Sequence, residues 1–299
     1  MFAALLRRPR AQVSRVRSSL ALSLAMGGVQ IVPVGAPLRA QGVVLEIRPR
    51  VGDTLHLRLD QQTELTGRRQ LGRGETGKTT ITTTMRIFSR AIVEKSAPTA
   101  TIVRAVTDSV RLTTTDEDAR IASGDTERLL EGRSMQLRIA PNGTVSVVDS
   151  ATDAPRELAS IVALMPGALP SGPVQVGFTW GREMPLPGGS KVAQGGPVSG
   201  WLHAKFRLDS LGRRGTLAFI SMRGEMAADP DAAGAAVGTS VIERGVVSGT
   251  MVVDRRRGWL TESRFSIVVH SLVRVPGSED TVMRVETRVT QRMKTVDRR

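Results

Sequence analysis

The chain has 299 residues, of which 40% are hydrophobic, and a formal net charge of +14. This length and apolar content are enough for one or two domains with a core, and they exclude a disordered chain. There is no cysteine, which excludes disulfides, thiolate metal sites and the acylated cysteine of a lipoprotein.

The positive charge does not by itself indicate a nucleic-acid partner. The first forty residues contain six arginines and no acidic residue, and without these six the net charge falls to +8. The other arginines are scattered singly along the sequence, and aromatic residues make up only 3% of it. Because nucleic-acid sites need clustered cations and stacking rings, we expect no such partner.

Residues 1–40 have the pattern of a Sec-type signal peptide. An arginine-rich start is followed by an apolar stretch from about Leu20 to Val34, and small residues precede a predicted cleavage after Ala36 or Ala40. An N-terminal membrane anchor is the alternative. Glycine, glutamine and proline interrupt the apolar stretch, which is shorter than the ~20 residues of a spanning helix. We therefore expect a periplasmic or extracellular protein with no transmembrane span after signal removal.

Alternation of apolar and polar residues dominates the rest of the chain and predicts strands with one buried face. Asn142-Gly143 between two such segments predicts a hairpin turn. The sequence thus predicts a mostly β fold, a large antiparallel, curved sheet or open half-barrel, in residues 41–299. The predicted strands are Thr54–Asp60, Thr79–Ser89, Thr99–Leu112, Ser134–Ile139, Thr144–Val148, Phe178–Met184, Trp201–Leu208, Thr216–Met222, Val241–Val253, Leu260–Val273 and Thr281–Met293.

One segment has helical periodicity instead. Residues 153–165 place apolar side chains at i, i+3, i+4 and i+7, with Asp153 as N-cap and Pro166 as a stop. This predicts one central amphipathic helix, whose apolar stripe packs on the concave face of the sheet. The stripe is also the candidate ligand-binding surface, and it consists of Leu158, Ile161, Val162 and Met165.

The helix and a Pro- and Gly-rich linker separate two β-rich parts, 41–150 and 174–299. Val176-Gly177-Phe178-Thr179 echoes Val51-Gly52-Asp53-Thr54, and each copy opens a predicted strand. The two parts can therefore be related halves of a duplicated chain, although two four-residue matches also arise by chance.

Gly72–Thr79 matches the P-loop pattern of nucleotide-binding proteins. A P-loop needs a buried strand before it and a helix after it, so that N–H groups point at the phosphates. Here the preceding residues are polar and the following ones are β-branched and strand-like. We interpret the motif as a Gly-rich hairpin loop and expect no nucleotide binding.

No other residues form a convincing chemical site. His56, His203 and His270 are isolated within strands, and the first two fall on polar faces, where we expect surface positions. The acidic residues Asp116–Asp118 lack the ligand spacing of a calcium loop, so we expect a solvated, mobile loop from about Thr113 to Glu131. We expect no catalytic residue, no metal and no cofactor.

The combination of an exported antiparallel sheet with a helix inserted midway resembles the periplasmic lipoprotein-carrier (LolA-like) half-barrel superfamily. Val176–Trp180 and Gly258–Thr261 also resemble segments of uncharacterised secreted bacterial β-rich proteins. The resemblance implies an apolar concave face suited to an acyl chain, and it implies no catalytic residue.

Two functions stay open from the sequence. One is a structural or partner-binding protein of the cell envelope, and the other is a carrier of an apolar ligand such as a lipid. They differ in whether the inward-facing residues fill a packed core or enclose an empty cavity.

Overall fold

The computed structural model describes residues 42–71, 75–148, 169–185, 200–228, 240–274 and 282–296. These residues form eleven strands and one α-helix. In chain order they are β1 (Thr54–Leu71), β2 (Glu75–Ser96), β3 (Thr101–Thr114), α1 (Glu117–Leu130), β4 (Ser134–Ile139), β5 (Val145–Val147), β6 (Thr179–Pro185), β7 (Gly200–Gly212), β8 (Leu217–Ala228), β9 (Ser240–Asp254), β10 (Trp259–Arg274) and β11 (Val282–Thr295).

The strands build one antiparallel sheet in the order β5-β4-β3-β2-β1-β11-β10-β9-β8-β7-β6. The first strand pairs with the last, so β1 and β11 lie side by side in the middle of the sheet. The short strands β5 and β6 are the two edges, and they do not pair with each other. The sheet is therefore open, which confirms the predicted fold class.

Alternation along the strands gives the sheet one buried face. On β7, Leu202, Ala204, Phe206 and Leu208 are buried, and the residues between them are exposed. Because side chains alternate across a strand, the apolar residues collect on a single face. Every predicted strand overlaps an observed one, and β4 has the predicted bounds.

The sheet is strongly curved. Residues of β4 and of β9 line the same cavity, although six strand positions separate them in the sheet order. In a flat sheet these strands would lie about 29 Å apart, at the usual spacing of ~4.8 Å per strand. The buried face is therefore the concave one.

The predicted hairpin turn at Asn142-Gly143 is confirmed. Ile139 of β4 pairs with Val145 of β5, and the Asn142 side chain accepts the Thr144 N–H at 3.1 Å. Gly143 has a φ of +85°, which a side chain would disfavour.

Residues 42–50, which we call the strap, cross one end of the curved sheet. Ile47 donates its N–H to Pro141 O in the β4–β5 turn, and Arg48 donates its N–H to Gly258 O in the β9–β10 turn, both at 2.8 Å. The strap alternates like a strand: Leu45 and Ile47 are buried inward, while Arg48 is exposed. We call this end of the sheet the strap end.

The prediction of a mobile loop from Thr113 to Glu131 was wrong. Thr113 and Thr114 complete β3, and Glu117–Leu130 is helix α1. Asp116 is the N-cap, since its Oδ1 accepts the Ala119 N–H at 3.3 Å. The prediction failed because the helix has no continuous apolar stripe.

Helix α1 covers an edge of β3 that β4 is too short to reach. The Val110 N–H donates to Glu131 Oε1 at 3.0 Å, and the Leu112 N–H donates to Glu127 Oε1 at 2.5 Å. These carboxylates replace the partner strand, so the exposed edge does not offer free N–H groups. The acidic residues of this segment therefore support the sheet.

The predicted helix at 153–165 lies outside the described residues. The helix that the described residues do contain is α1, which the sequence analysis missed. The proposed duplication also remains a prediction, although the two echoing turns have the same local geometry. Gly52 and Gly177 have φ values of +88° and +89°, and their N–H groups donate to Val93 O and Leu208 O of the neighbouring strands.

Candidate functional site: an apolar cavity at the strap end

A cavity of about 170 Å³ lies under the concave face. It is partly open, and strands from both sides of the sheet, together with the strap, form its wall. Among the described residues the lining is apolar except for Ser89, Thr107, Arg133 and Gly143, and Arg133 is the charged one. The main apolar lining residues are Ile47, Leu57, Leu59, Ile87, Ala91, Val103, Ala105, Met135, Leu137, Ile139, Val145, Leu169, Met251, Val253, Trp259, Leu260 and Met293.

One polar group in this wall has no partner. Trp259 is 7% exposed, and its indole Nε1 is buried without an acceptor among the described residues. A buried N–H that makes no hydrogen bond is unfavourable by about 1–3 kcal/mol, and such groups are rare in folded proteins. Trp259, a residue of the cavity wall, thus has an unused and buried hydrogen-bond donor.

Contact with the strap holds the backbone at Trp259 in place. Gly258 precedes it with a φ of +60°, and a Cβ at this position would lie 2.4 Å from Arg48 O. Only glycine permits this approach, which allows the 2.8 Å hydrogen bond from the Arg48 N–H to Gly258 O. The strap and Trp259 therefore meet at the same end of the cavity.

The other side of the concave face is filled. There, Phe265 projects over Gly249, at which an added Cβ would lie only 2.3 Å from Phe265 Cδ1. In the same way, a Cβ added at Gly245 would lie 2.9 Å from Met226 Cβ and Sδ. Large side chains thus occupy the space that glycines leave, and the aromatic rings of Trp180 and Phe206 stack nearby with centroids 5.8 Å apart.

The outer face carries the charges of the sheet in ladders across neighbouring strands. Asp60 lies between Arg58 and Arg86, at 2.8 and 2.7 Å, and Glu262 lies between Arg264 and Arg292, at 2.9 and 3.1 Å. Partial burial raises the pKa of both carboxyl groups, but the hydrogen bonds and charges of the paired arginines together outweigh it. The pKa of each carboxyl is therefore lowered.

The candidate ligand-binding residues Leu158, Ile161, Val162 and Met165 lie outside the described residues. The cavity is instead lined by strand and strap residues that the sequence analysis had assigned only to a buried face. Period-two alternation marked them as inward-facing, but it does not distinguish a filled core from a cavity.

The P-loop match lies in a β-hairpin. Leu71 pairs with Glu75, and Thr76–Thr79 continue into β2, so a strand rather than a helix follows the motif. Lys78 is exposed opposite Arg68. Residues 72–74 lie outside the described residues.

Of the histidines, His203 is exposed as predicted, with its Nδ1 3.2 Å from Glu183 Oε1. His56 and His270 are partly buried. Within the described ranges, no group of His, Asp and Glu side chains has the arrangement of a metal site.

Comparisons with known proteins give no family. No family model matches the chain, and no curated protein matches it. Among solved structures, an outer membrane channel from Pseudomonas putida F1 matches with 8% identity and a TM-score of 0.20, over 88% of this chain and all of that one. Within the part of the chain that the structure describes, no helix is long and apolar enough to cross a membrane.

Proposed function

We propose that the protein binds an apolar ligand, of the acyl-chain type, in the cavity at the strap end. The observation that carries the proposal is the cavity of about 170 Å³ with an almost wholly apolar wall. Of the two functions that the sequence leaves open, this feature favours the carrier over the structural protein. Export to the cell envelope and the absence of catalytic activity belong to the same proposal.

The size of the cavity limits what enters it. An apolar cavity of about 150 Å³ stays dry and accepts a ring such as benzene, whereas sites for whole drug-sized ligands have about 300–1,000 Å³. The cavity therefore has room for the end of an acyl chain or one ring. The remainder of the ligand would extend through the open side.

Two observations distinguish the cavity from an ordinary packing defect: the close packing of the rest of the concave face, and an unused hydrogen-bond donor in the wall. The filled side of the same face matches glycines to aromatic and methionine side chains, so this sheet packs closely elsewhere. In addition, the Trp259 indole N–H is buried without an acceptor, and we propose that it turns to donate to an oxygen of a bound ligand. The preferred ligand is then an apolar chain that carries a carbonyl or carboxyl oxygen.

Filling the cavity tests the proposal directly. Ala105 lines it, and Ala105→Leu should occupy part of its volume. We expect the variant to lose most of its affinity for a fluorescent long-chain fatty acid, measured by titration. Ala227→Leu adds the same side chain at an exposed position of β8 and should bind like the wild type. Equal binding by all three proteins, or no binding by the wild type, would contradict the proposal.

Trp259→Phe tests the contribution of the indole N–H separately from that of the aromatic ring. The variant keeps an aromatic ring but loses the N–H donor. We expect its affinity for the fatty acid to fall several-fold, while its affinity for an apolar probe without oxygen stays nearly unchanged. Native mass spectrometry of the protein isolated from its own membrane fraction would then identify the natural ligand.

A further inference from the structure

Folding brings together arginines that the sequence analysis described as scattered. Seven exposed arginines lie at the strap end, in the strap, in the β7–β8 turn and in the β9–β10 turn. The antiparallel pairing places these segments at the same end of the sheet, and the Arg255 N–H, which donates to Thr216 O at 2.8 Å, joins the two turns. The seven are Arg48, Arg50, Arg213, Arg214, Arg255, Arg256 and Arg257.

The seven arginines outnumber the carboxylates beside them, Asp53 and Asp254. Among the described residues none of the seven arginines forms an ion pair, in contrast to the arginine ladders of the outer face. The nearby carboxylates bind backbone groups instead: Asp254 accepts the N–H groups of Arg256 and Arg257 at 2.9 and 3.0 Å, and Asp53 accepts that of Arg50 at 3.2 Å. The Arg255 guanidinium donates to Val44 O and Gly215 O at 3.3 and 2.6 Å, so it binds backbone carbonyls rather than a carboxylate.

Two of these arginines also adopt an unfavourable backbone conformation. Arg213 and Arg214 have φ values of +46° and +58°, in the left-handed region where glycine or asparagine is favoured. Backbone stability therefore does not explain arginine at these two positions.

Exposed apolar side chains lie among the arginines. Val44 in the strap is 50% exposed, and the two echoing turns present Val51 at 61% and Val176 at 53%. Phe178, beside the second turn, is 47% exposed. Apolar tips within a cationic surface are the signature of a protein that lies on the interface of an anionic membrane.

A polar pocket of about 480 Å³ lies on the same surface, lined in part by Arg50, His56, Arg256 and Arg257 and by one carboxylate, that of Asp53. The three arginines outnumber the one carboxylate, and their guanidinium groups fit the phosphate of a lipid headgroup.

We infer that the strap end docks on the surface of an anionic lipid bilayer, with a lipid phosphate in this pocket and the valine tips at the headgroup level. A bilayer fits better than a nucleic acid, because three of the four exposed apolar side chains among the cations are valines, which offer no ring for a base to stack on. The inference goes beyond the proposed function, since docking requires no ligand in the cavity.

The test is flotation of the full-length protein with vesicles of phosphatidylcholine alone or mixed equally with phosphatidylglycerol. We expect binding only to the anionic vesicles, and weaker binding in high salt. Arg256→Gln/Arg257→Gln should reduce partitioning roughly 25-fold, because each basic residue near the surface contributes a factor of about five. Arg213→Asn/Arg214→Asn should reduce it similarly and raise the melting temperature.

The matched control is Arg244→Gln/Arg284→Gln. It removes the same charge from exposed positions roughly 35 Å along the strands from the strap end, beyond the range of screened electrostatics. All variants retain the basic residues 1–40, so their differences report on the strap end alone. Val51→Ser/Val176→Ser should weaken binding, and Val246→Ser, at another exposed valine, should not.

Three results would overturn the inference. They are equal binding to neutral and anionic vesicles, no binding to either, and equal losses in the strap-end and control variants. If the strap-end variants instead lost retention on a nucleic-acid column but not on vesicles, the partner would be a polyanion and the bilayer assignment would be wrong. Fatty-acid titration of the same variants in solution tests the cavity independently.

Discussion

The two sides of the concave face differ in how closely their side chains pack. On the filled side, glycines of β8 and β9 lie opposite large side chains such as Phe265 and Met226, which occupy the available space. On the cavity side, aliphatic side chains, three methionines and Trp259 line the wall, and they enclose a cavity of about 170 Å³. The sheet is capable of close packing, so the cavity is a local property of its residues.

This difference teaches that curvature alone does not determine what the concave face holds. Both sides belong to one continuous sheet with one inward-facing set of side chains. Side-chain volume relative to the opposing backbone decides whether a region becomes a core or a cavity.

The largest effect is expected from breaking the filled side. In Gly249→Ala the new Cβ would lie 2.3 Å from Phe265 Cδ1 and 2.4 Å from Arg264 O, a backbone atom that cannot move freely. We expect a loss of about 2–4 kcal/mol in the free energy of unfolding, measured by urea denaturation. Gly181→Ala is the control, since its Cβ would be 3.9 Å from the nearest atom. Equal stability of the two variants would show that the filled side is loosely packed.

A smaller effect is expected from removing the support of the cavity side. Glu127→Ala leaves the Leu112 N–H of β3 without its acceptor, which should reduce stability by about 1–3 kcal/mol. Glu127→Gln keeps an acceptor oxygen and should recover most of this loss. Hydrogen exchange at Leu112 should accelerate in the alanine variant, and unchanged protection there would argue against the capping role.

The cavity-filling variant Ala105→Leu sharpens the comparison. If the space is empty, leucine should leave the melting temperature unchanged or raise it, because each buried CH₂ contributes about 0.8 kcal/mol. Overpacking of a filled core would instead reduce stability by about 1–3 kcal/mol. A clear loss of stability would place Ala105 in a packed core like that of the filled side.

The smallest loss of stability is expected from lowering the pH. It involves Asp60 and Glu262, two carboxylates on the outer face of the sheet. The pKa values of Asp60 and Glu262 are lowered in the folded state, so their contribution is present above the unfolded pKa and is lost as pH falls through the folded value. Stability should therefore decrease below about pH 4. Asp60→Asn/Glu262→Gln should show a shallower decrease in a pH series of thermal melts. An unchanged slope would mean that other carboxylates dominate.

The sequence predicted the sheet well because alternation is a local signal. Thr54–Asp60 and Ser134–Ile139 repeat apolar and polar residues with a period of two, and both are strands in the sheet. Helix α1 was missed because the residues that indicate it are the capping residues at its ends, while its sequence has no apolar periodicity. The sequence signals that would have identified it are Asp116 as N-cap, Arg128 in the last turn and Gly132 just past the end of the helix.

The sequence by itself determined the strands, their inward faces, the Asn142-Gly143 turn and the strand-like flank of the P-loop match. Each depends on residues that are close together in the chain. Only the tertiary structure decided that the strap closes one end, that the wall near Trp259 encloses a cavity, and that seven arginines from three distant segments share one surface. These features arise from contacts between residues far apart in sequence, such as Arg48 with Gly258, and no local pattern contains them.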